Sequence, residues 1–122
     1  MVRDSLGARG EGLAREYLKA KGYSIIASNF KNKLGEIDII AKDKGMIVFV
    51  EVKTRVSLSC GWPYESVSRA KQKKIARVAW CYLKLNFGTI DVPARFDVVS
   101  VHANEQGIFE VMLIKNAFDI PI

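Results

Sequence analysis

The stretch "EIDIIAKDKGMIVFVEVK", residues 36–53, limits the possible folds more than any other part of the chain. Two apolar runs, both too short for long helices, flank an Asp-Lys-Gly turn signal. "EIDIIAK" at 36–42 and 46–53 read as strands, with "DKG" at 43–45 as a tight hairpin turn. In the second strand Val48, Val50 and Val52 share one face, while Ile47, Phe49, Glu51 and Lys53 share the other. It reads as a core strand whose valine face packs inward. Its other face turns from Ile47 and Phe49 to an acid, a base and then Arg55. With Lys44 and Gly45 as a two-residue loop, Asp43 faces Met46 and Asp38 faces Glu51. Directly opposed residues have Cβ atoms roughly 4.5–5.5 Å apart. A slip of one residue would send Asp38 to the wrong face.

The rest of the chain supplies the layers around this hairpin. Residues 5–21 predict a helix capped by Asp4 or Ser5 and followed by Gly22. Leu6, Gly10, Leu13, Ala14, Tyr17 and Leu18 form its buried stripe, with Glu11 at the border. Gly7, Gly10 and Gly12 each cost a helix about 1 kcal/mol against alanine. Either the helix starts late, or its N-terminal end approaches something closely. "YSIIASNFK" at 23–31 predicts a first strand, "NKLG" at 32–35 a turn and "SLSCGWPYE" at 57–65 a loop. Residues 68–86 predict a second helix with Ile75, Val78, Ala79, Tyr82 and Leu83 as its apolar stripe. "RFDVVSVHA" and "GIFEVMLIK" predict a last hairpin across "NEQG" at 104–107. The order α-β-β-β-α-β-β gives an α/β fold in a single domain spanning 1–122, with no repeat or linker.

Composition narrows the function classes. With 122 residues, 49% of them hydrophobic, the chain suits one core. No apolar run approaches the roughly 20 residues of a membrane span. The N-terminal "MVRDSLGARGE" has no apolar signal-peptide region, so a cytoplasmic protein is expected. Cys60 and Cys81 read as free thiols, with a disulfide as the minor alternative, and two Cys with one His argue against structural zinc. A net charge of +6 favours polyanionic partners, nucleic acid before membrane.

Two opposed carboxylates destabilise a sheet unless a cation sits between them. Hard cations such as Mg²⁺ take carboxylate oxygens and keep several waters. A lysine two residues beyond Glu51, about 6.6 Å along the strand, can orient a metal-bound water. Asp38, Glu51 and Lys53 are therefore the parts for metal-assisted attack on a phosphodiester. The alternative is a solvated strand end with a surface ion pair worth roughly 1 kcal/mol or less. Arg55 continues the same face and can meet a phosphate. The second helix begins with Arg69, Lys71, Lys73, Lys74 and Arg77, which read together as phosphate contacts, with a solvated helix face as the alternative and Lys71 as the lysine nearest the preceding loop. Trp62 and Tyr64 either stack on bases or pack as a lid, Glu65 can cap the second helix, and His102 reads as a surface residue. Arg95 and Asp97 read as structural ion pairing.

"GARGEGLAREYLKAKGY", "N-x4-LGEIDIIAKD", "VFVEVKTR" and "RFDVV" together resemble the YraN-like family of bacterial proteins, in order and over nearly the whole chain. That family in turn resembles the PD-(D/E)XK nuclease superfamily, including Holliday-junction resolvases. The resemblance implies a restriction-endonuclease-like core, α-β-β-β-α-β plus one further strand, with a central mixed sheet flanked by helices. It implies Asp38 and Glu51 as ligands of Mg²⁺ or Mn²⁺, Lys53 as the water-activating lysine and Glu11 as the supporting helical acid. The motif's proline is absent, since Ile37 precedes Asp38, and Gln72 has Ala76 rather than tyrosine four residues on. The expectation is a divalent-metal-dependent endonuclease acting on structured or branched DNA, with a homodimer suggested by resolvase-like relatives. The alternative is a non-catalytic nucleic-acid-binding module that keeps the fold. A protein-binding scaffold that uses an exposed sheet edge is a third class.

Overall fold

The computed structural model describes residues 5–56 and 67–119. Asp4, Cys60, Trp62, Tyr64 and Glu65 lie outside them, and the expectations placed on those residues with them. The elements follow the expected order: α1 (Leu6–Ala20), β1 (Ser24–Asn32), β2 (Gly35–Asp43), β3 (Met46–Arg55), α2 (Arg69–Phe87), β4 (Ala94–Ala103) and β5 (Phe109–Phe118). The five strands form one mixed sheet in sequential order. Among the described residues only β3 and β4 run parallel, because α2 carries the chain back across the sheet between them. This is the α/β architecture of a restriction-endonuclease-like core, with β5 as the further strand.

Local chemistry sets the boundaries. The Ser5 side chain accepts the Ala8 N–H at 3.1 Å, and Ser68 accepts the Lys71 N–H at 3.2 Å, so both helices begin on a serine cap. Gly88, in the left-handed region with φ 74°, ends α2. Lys44 and Gly45, at φ 51° and 84°, make the β2–β3 turn. Positive φ at both central positions gives the twist that a two-residue hairpin needs. The register follows: Asp43 pairs with Met46, Ile40 with Phe49 and Ile39 with Val50. The last strand starts and ends later than its apolar pattern suggests, at Phe109–Phe118 rather than 107–115.

Both faces of β3 are buried from Ile47 to Glu51, the valine face and the Ile47–Phe49 face alike. Val48 and Val50 pack with Ala14 and Leu18 of α1, while Ile47 and Phe49 pack with Ile75, Ala79 and Tyr82 of α2. A strand that neighbours a parallel partner and is covered on both sides reads as a continuous apolar run. On the α2 side, the rings of Phe30 and Phe49 meet Tyr82 edge-on, and Phe96 stacks on Phe118.

The end of the sheet near the β2–β3 turn is held by a polar cluster. Asp97 is fully buried and accepts from Tyr23 Oη at 2.9 Å, Arg95 Nε at 3.0 Å and the Asn116 N–H at 2.9 Å. Arg95 also donates to Asp43 at 2.8 Å. That hydrogen bond and charge hold Asp43 below the usual carboxylate range, while burial and then Asp97 push Tyr23 up to about 12. The expected structural pairing of Arg95 with Asp97 is therefore present. It joins the residues after α1 to β2, β4 and β5.

The opposite end of α1 lies close against β3. A Cβ built on Gly10 would overlap the Thr54 side chain, which accounts for a buried glycine inside the helix. Gly10→Ala is expected to cost about 1–3 kcal/mol through overpacking, measured by denaturant unfolding. Thr54→Ala removes the two nearest clashing atoms, so the Gly10→Ala/Thr54→Ala pair should cost less than the sum of the singles. Strict additivity would show that the contact is not what selects glycine.

Candidate active site

Asp38 sits where β2 stops alternating regularly. Ile39 belongs to the core under α1 and Ile40 to the core under α2, as period two requires. Ile37 breaks the pattern by joining Ile40 on the α2 side. Across the ladder, Phe30 pairs with Ile37 and Ser28 with Ile39, which places Asn29, in the left-handed region at φ 54°, opposite Asp38. The β2–β3 ladder runs from the turn to Ile39–Val50. Beyond it the Val52 N–H donates to Asp38 Oδ2 at 2.8 Å, so a side chain takes the place of a strand partner. The expected register is correct, but Asp38 reaches β3 through this side-chain bond rather than as the next rung.

The result is a dense acidic centre. Glu51 is buried, only 5% exposed, at the end of the Ile47–Phe49 face. Burial first, then the Glu51 charge, push Asp38 up to about 7, against the lowering effect of the Val52 N–H. Glu11 contributes to that shift as well. Glu11 is itself raised, by burial and then by the charges of Glu36 and Glu51, with Arg15 opposing. Its Oε1 is buried and has no hydrogen-bond partner among the described residues. A buried acceptor without a donor is unusual, and bound water or an ion is a common reason for one. The helix-border acid expected from the sequence thus acts electrostatically on the same centre.

Lys71 supplies the counter-charge. Its Nζ pairs with Glu51 Oε2 from the first turn of α2. Burial works against its charge but is outweighed by Glu51, with Asp38 and Glu36 adding, so Lys71 titrates above its usual value. A cavity of about 330 Å³ opens here, lined by Glu36, Asp38, Glu51, Lys71 and Lys74 among others. Lys71 and Lys74 are one turn apart and share a helix face. Arg69, Lys73 and Arg77 are exposed and outside this lining. Lys53 is half-buried, does not line the cavity, and makes no hydrogen bond or ion pair among the described residues. Arg55 is also half-buried. Glu36 was missed by the sequence reading; its signal is the period-two spacing from Asp38, obscured by its place at the strand start.

The donor set suits a hard divalent cation. Among the described residues, no group of three or more acidic, histidine or cysteine side chains is arranged to enclose a metal ion. Two adjacent carboxylates with water completing the shell are nevertheless what Mg²⁺ commonly accepts, and Asp38 with Glu51 provides that pair. The buried Glu11 oxygen is a further acceptor nearby. The residues therefore fit a cation held by Asp38, Glu51 and waters rather than an all-protein cage.

A small α/β fold of restriction-endonuclease-like architecture, with paired carboxylates from β2 and β3, is the class these observations define. The chain belongs to the uncharacterised protein family UPF0102, whose model matches residues 10–101. It is 49% identical to a UPF0102 protein of Symbiobacterium thermophilum over 93% of this chain and 95% of the relative. It is 46% identical to one from Geotalea uraniireducens, over 95% of this chain and 91% of that protein. A UPF0102 protein of Caldicellulosiruptor saccharolyticus is 46% identical, over 97% of this chain and the whole of the relative. Among solved structures, SfsA from Pyrococcus furiosus, in complex with Ca²⁺, aligns with 89% of this chain and 61% of its own at 13% identity, with a TM-score of 0.41. No helix among the described residues is long and apolar enough to cross a membrane.

The raised Asp38 pKa makes a signed prediction. The unfolded chain releases this proton near the ordinary value of 3.8, and the folded chain holds it to about 7. Folded protein therefore binds the extra proton between those values, and stability falls as pH rises through that window. Asp38→Asn keeps an acceptor for the Val52 N–H and removes the charge. It should stabilise the protein by on the order of 1–2 kcal/mol at pH 8 and by little at pH 4, measured by urea unfolding. An equal effect at both pH values would rule out the ionised carboxylate, disfavoured by burial and then by Glu51, as the cause.

Proposed function

We propose that this protein is a divalent-metal-dependent endonuclease that hydrolyses phosphodiester bonds of structured or branched DNA. The observation that carries the reading is the paired Asp38 and Glu51 carboxylates, brought together at a strand distortion beside a lysine-lined cavity. Such a like-charge pair is costly for stability alone. It gains a purpose if its charge is used by Mg²⁺ or Mn²⁺. The bound ion would supply Lewis-acid stabilisation of the phosphoryl oxygens and a more acidic water.

The protein's own groups divide the remaining work. Asp38 and Glu51 would hold the ion, and the Val52 N–H fixes the orientation of Asp38. Glu11, with an oxygen lacking a donor, would accept a hydrogen bond from a water at the centre. Lys71 and Lys74 line the cavity wall and would meet phosphate oxygens. Lys53 would orient the attacking water, and Arg55, Arg69 and Lys73 would contact the backbone on either side. The net charge of +6 favours approach of a polyanion. A cytoplasmic location and a homodimer making two symmetric cuts complete the proposal.

A cleavage panel tests this directly, using linear, flapped, single-stranded and four-way DNA with Mg²⁺ or Mn²⁺. Wild type should cut at least one branched form. Glu51→Gln should lower the rate by at least about 100-fold, consistent with loss of several kcal/mol of transition-state stabilisation, while leaving binding in EDTA largely intact. Salt-dependent binding without cleavage of any form, RNA included, would favour the non-catalytic binding module instead.

A further inference from the structure

Two lysines compete for a role at this centre, and their positions differ. Lys53 follows Glu51 on β3 but does not line the cavity. Lys71 does line it, with its ammonium on a buried carboxylate. The start of α2 is also unusual in charge. Its first turn contains no acidic residue, although the exposed N–H groups of a helix start favour acids. Arg69 and Lys71 stand there instead, and Lys74 follows one turn later. Cations at this end are disfavoured by the helix itself, so their compensation must come from outside it. For Lys71 that compensation is Glu51, with Asp38 and Glu36 adding to it.

The same contact sets a conflict. Glu51 Oε2 is engaged by Lys71, and the site proposed above needs Glu51 for a divalent cation. An ammonium and a divalent cation on one carboxylate repel each other. Lys71 is 47% exposed along its side chain, so it has room to turn outward without unpacking the core. Lys74 on the same wall leaves a second cation beside wherever Lys71 moves. A flexible stem carrying a point charge suits such a transfer better than a planar guanidinium would.

Resting on the metal-site reading above, we propose that Lys71 is an exchangeable counter-ion. It neutralises Glu51 when no divalent cation is bound, gives the carboxylate up when one is, and then pairs with a phosphate of the substrate. Lys71 is thereby a positioning residue that links metal loading to phosphate binding. A lysine serving only as a surface phosphate contact would have no influence on metal affinity.

The test measures Mn²⁺ affinity by titration of the full chain, without nucleic acid, for wild type, Lys71→Met, Lys71→Arg and Lys84→Met. Lys84 is an exposed lysine in the last turn of the same helix and controls for loss of one charge. Lys71→Met should bind Mn²⁺ about tenfold more tightly than wild type. Lys84→Met should stay within twofold, and Lys71→Arg should stay near wild type because it retains the competing charge. In Ca²⁺, binding of a four-way DNA should weaken about tenfold for Lys71→Met despite its fuller metal site. Unchanged or weaker Mn²⁺ binding in Lys71→Met overturns the proposal, as does an equal gain in Lys84→Met. Thermal unfolding of each variant separates these outcomes from misfolding. Failure of the metal reading itself would look different: wild type and Glu51→Gln would then bind Mn²⁺ equally poorly.

Discussion

The Val52 amide donates to the Asp38 carboxylate where a regular sheet would offer it a backbone oxygen, and the site depends on this substitution. An aspartate can take such a place only where its strand leaves the ladder. The alternation of β2 breaks at this residue, with Asn29 opposite in the left-handed region. The bond fixes Asp38 beside Glu51 and favours its charged form, while burial and Glu51 favour the neutral one. The balance leaves Asp38 holding its proton up to about 7. The local irregularity and the chemical potential of the site thus have the same origin.

The remaining architecture brings partners to that point. β3 is covered on both faces, so its end is approached from two directions. On one side Gly10 lets α1 come close at Thr54, and the next residue, Glu11, is carried to the edge of the acidic centre. On the other side α2 begins on the Ser68 cap and places Lys71 on Glu51. At the far end of the sheet, Arg95 and Asp97 tie Tyr23, after α1, to β2, β4 and β5 through hydrogen bonds. Buried charges of this kind are retained only when fully partnered. They hold the turn end of the sheet, while burial and the Glu51 charge act against the ionised Asp38 beyond it.

Much of the fold was legible in the chain because its signals are local. The Lys44–Gly45 turn determines a register, and the apolar stripe of α2 is buried at all five expected positions. The close approach implied by the glycines of α1 is found at Gly10. The pairing of Asp38 with Glu51 followed from the turn, yet its form did not. Period-two reasoning assumes an unbroken strand, and β2 breaks at the residue that matters. The same reasoning placed Lys53 at the centre and Lys71 among the phosphate contacts, since spacing along a strand says nothing about what a helix brings from elsewhere.

The amino-acid sequence by itself determined the order of elements, the hairpin register and the identity of the acids, because each is written in neighbouring residues or a short repeat. Only the tertiary structure decided which cation meets Glu51, that Glu36 joins the cavity, and that a Glu11 oxygen is buried without a donor. Those outcomes depend on how two helices, distant in the chain, pack on opposite faces of one strand. Burial and Coulomb interactions act through space, and no periodicity along the chain records the distances on which they depend.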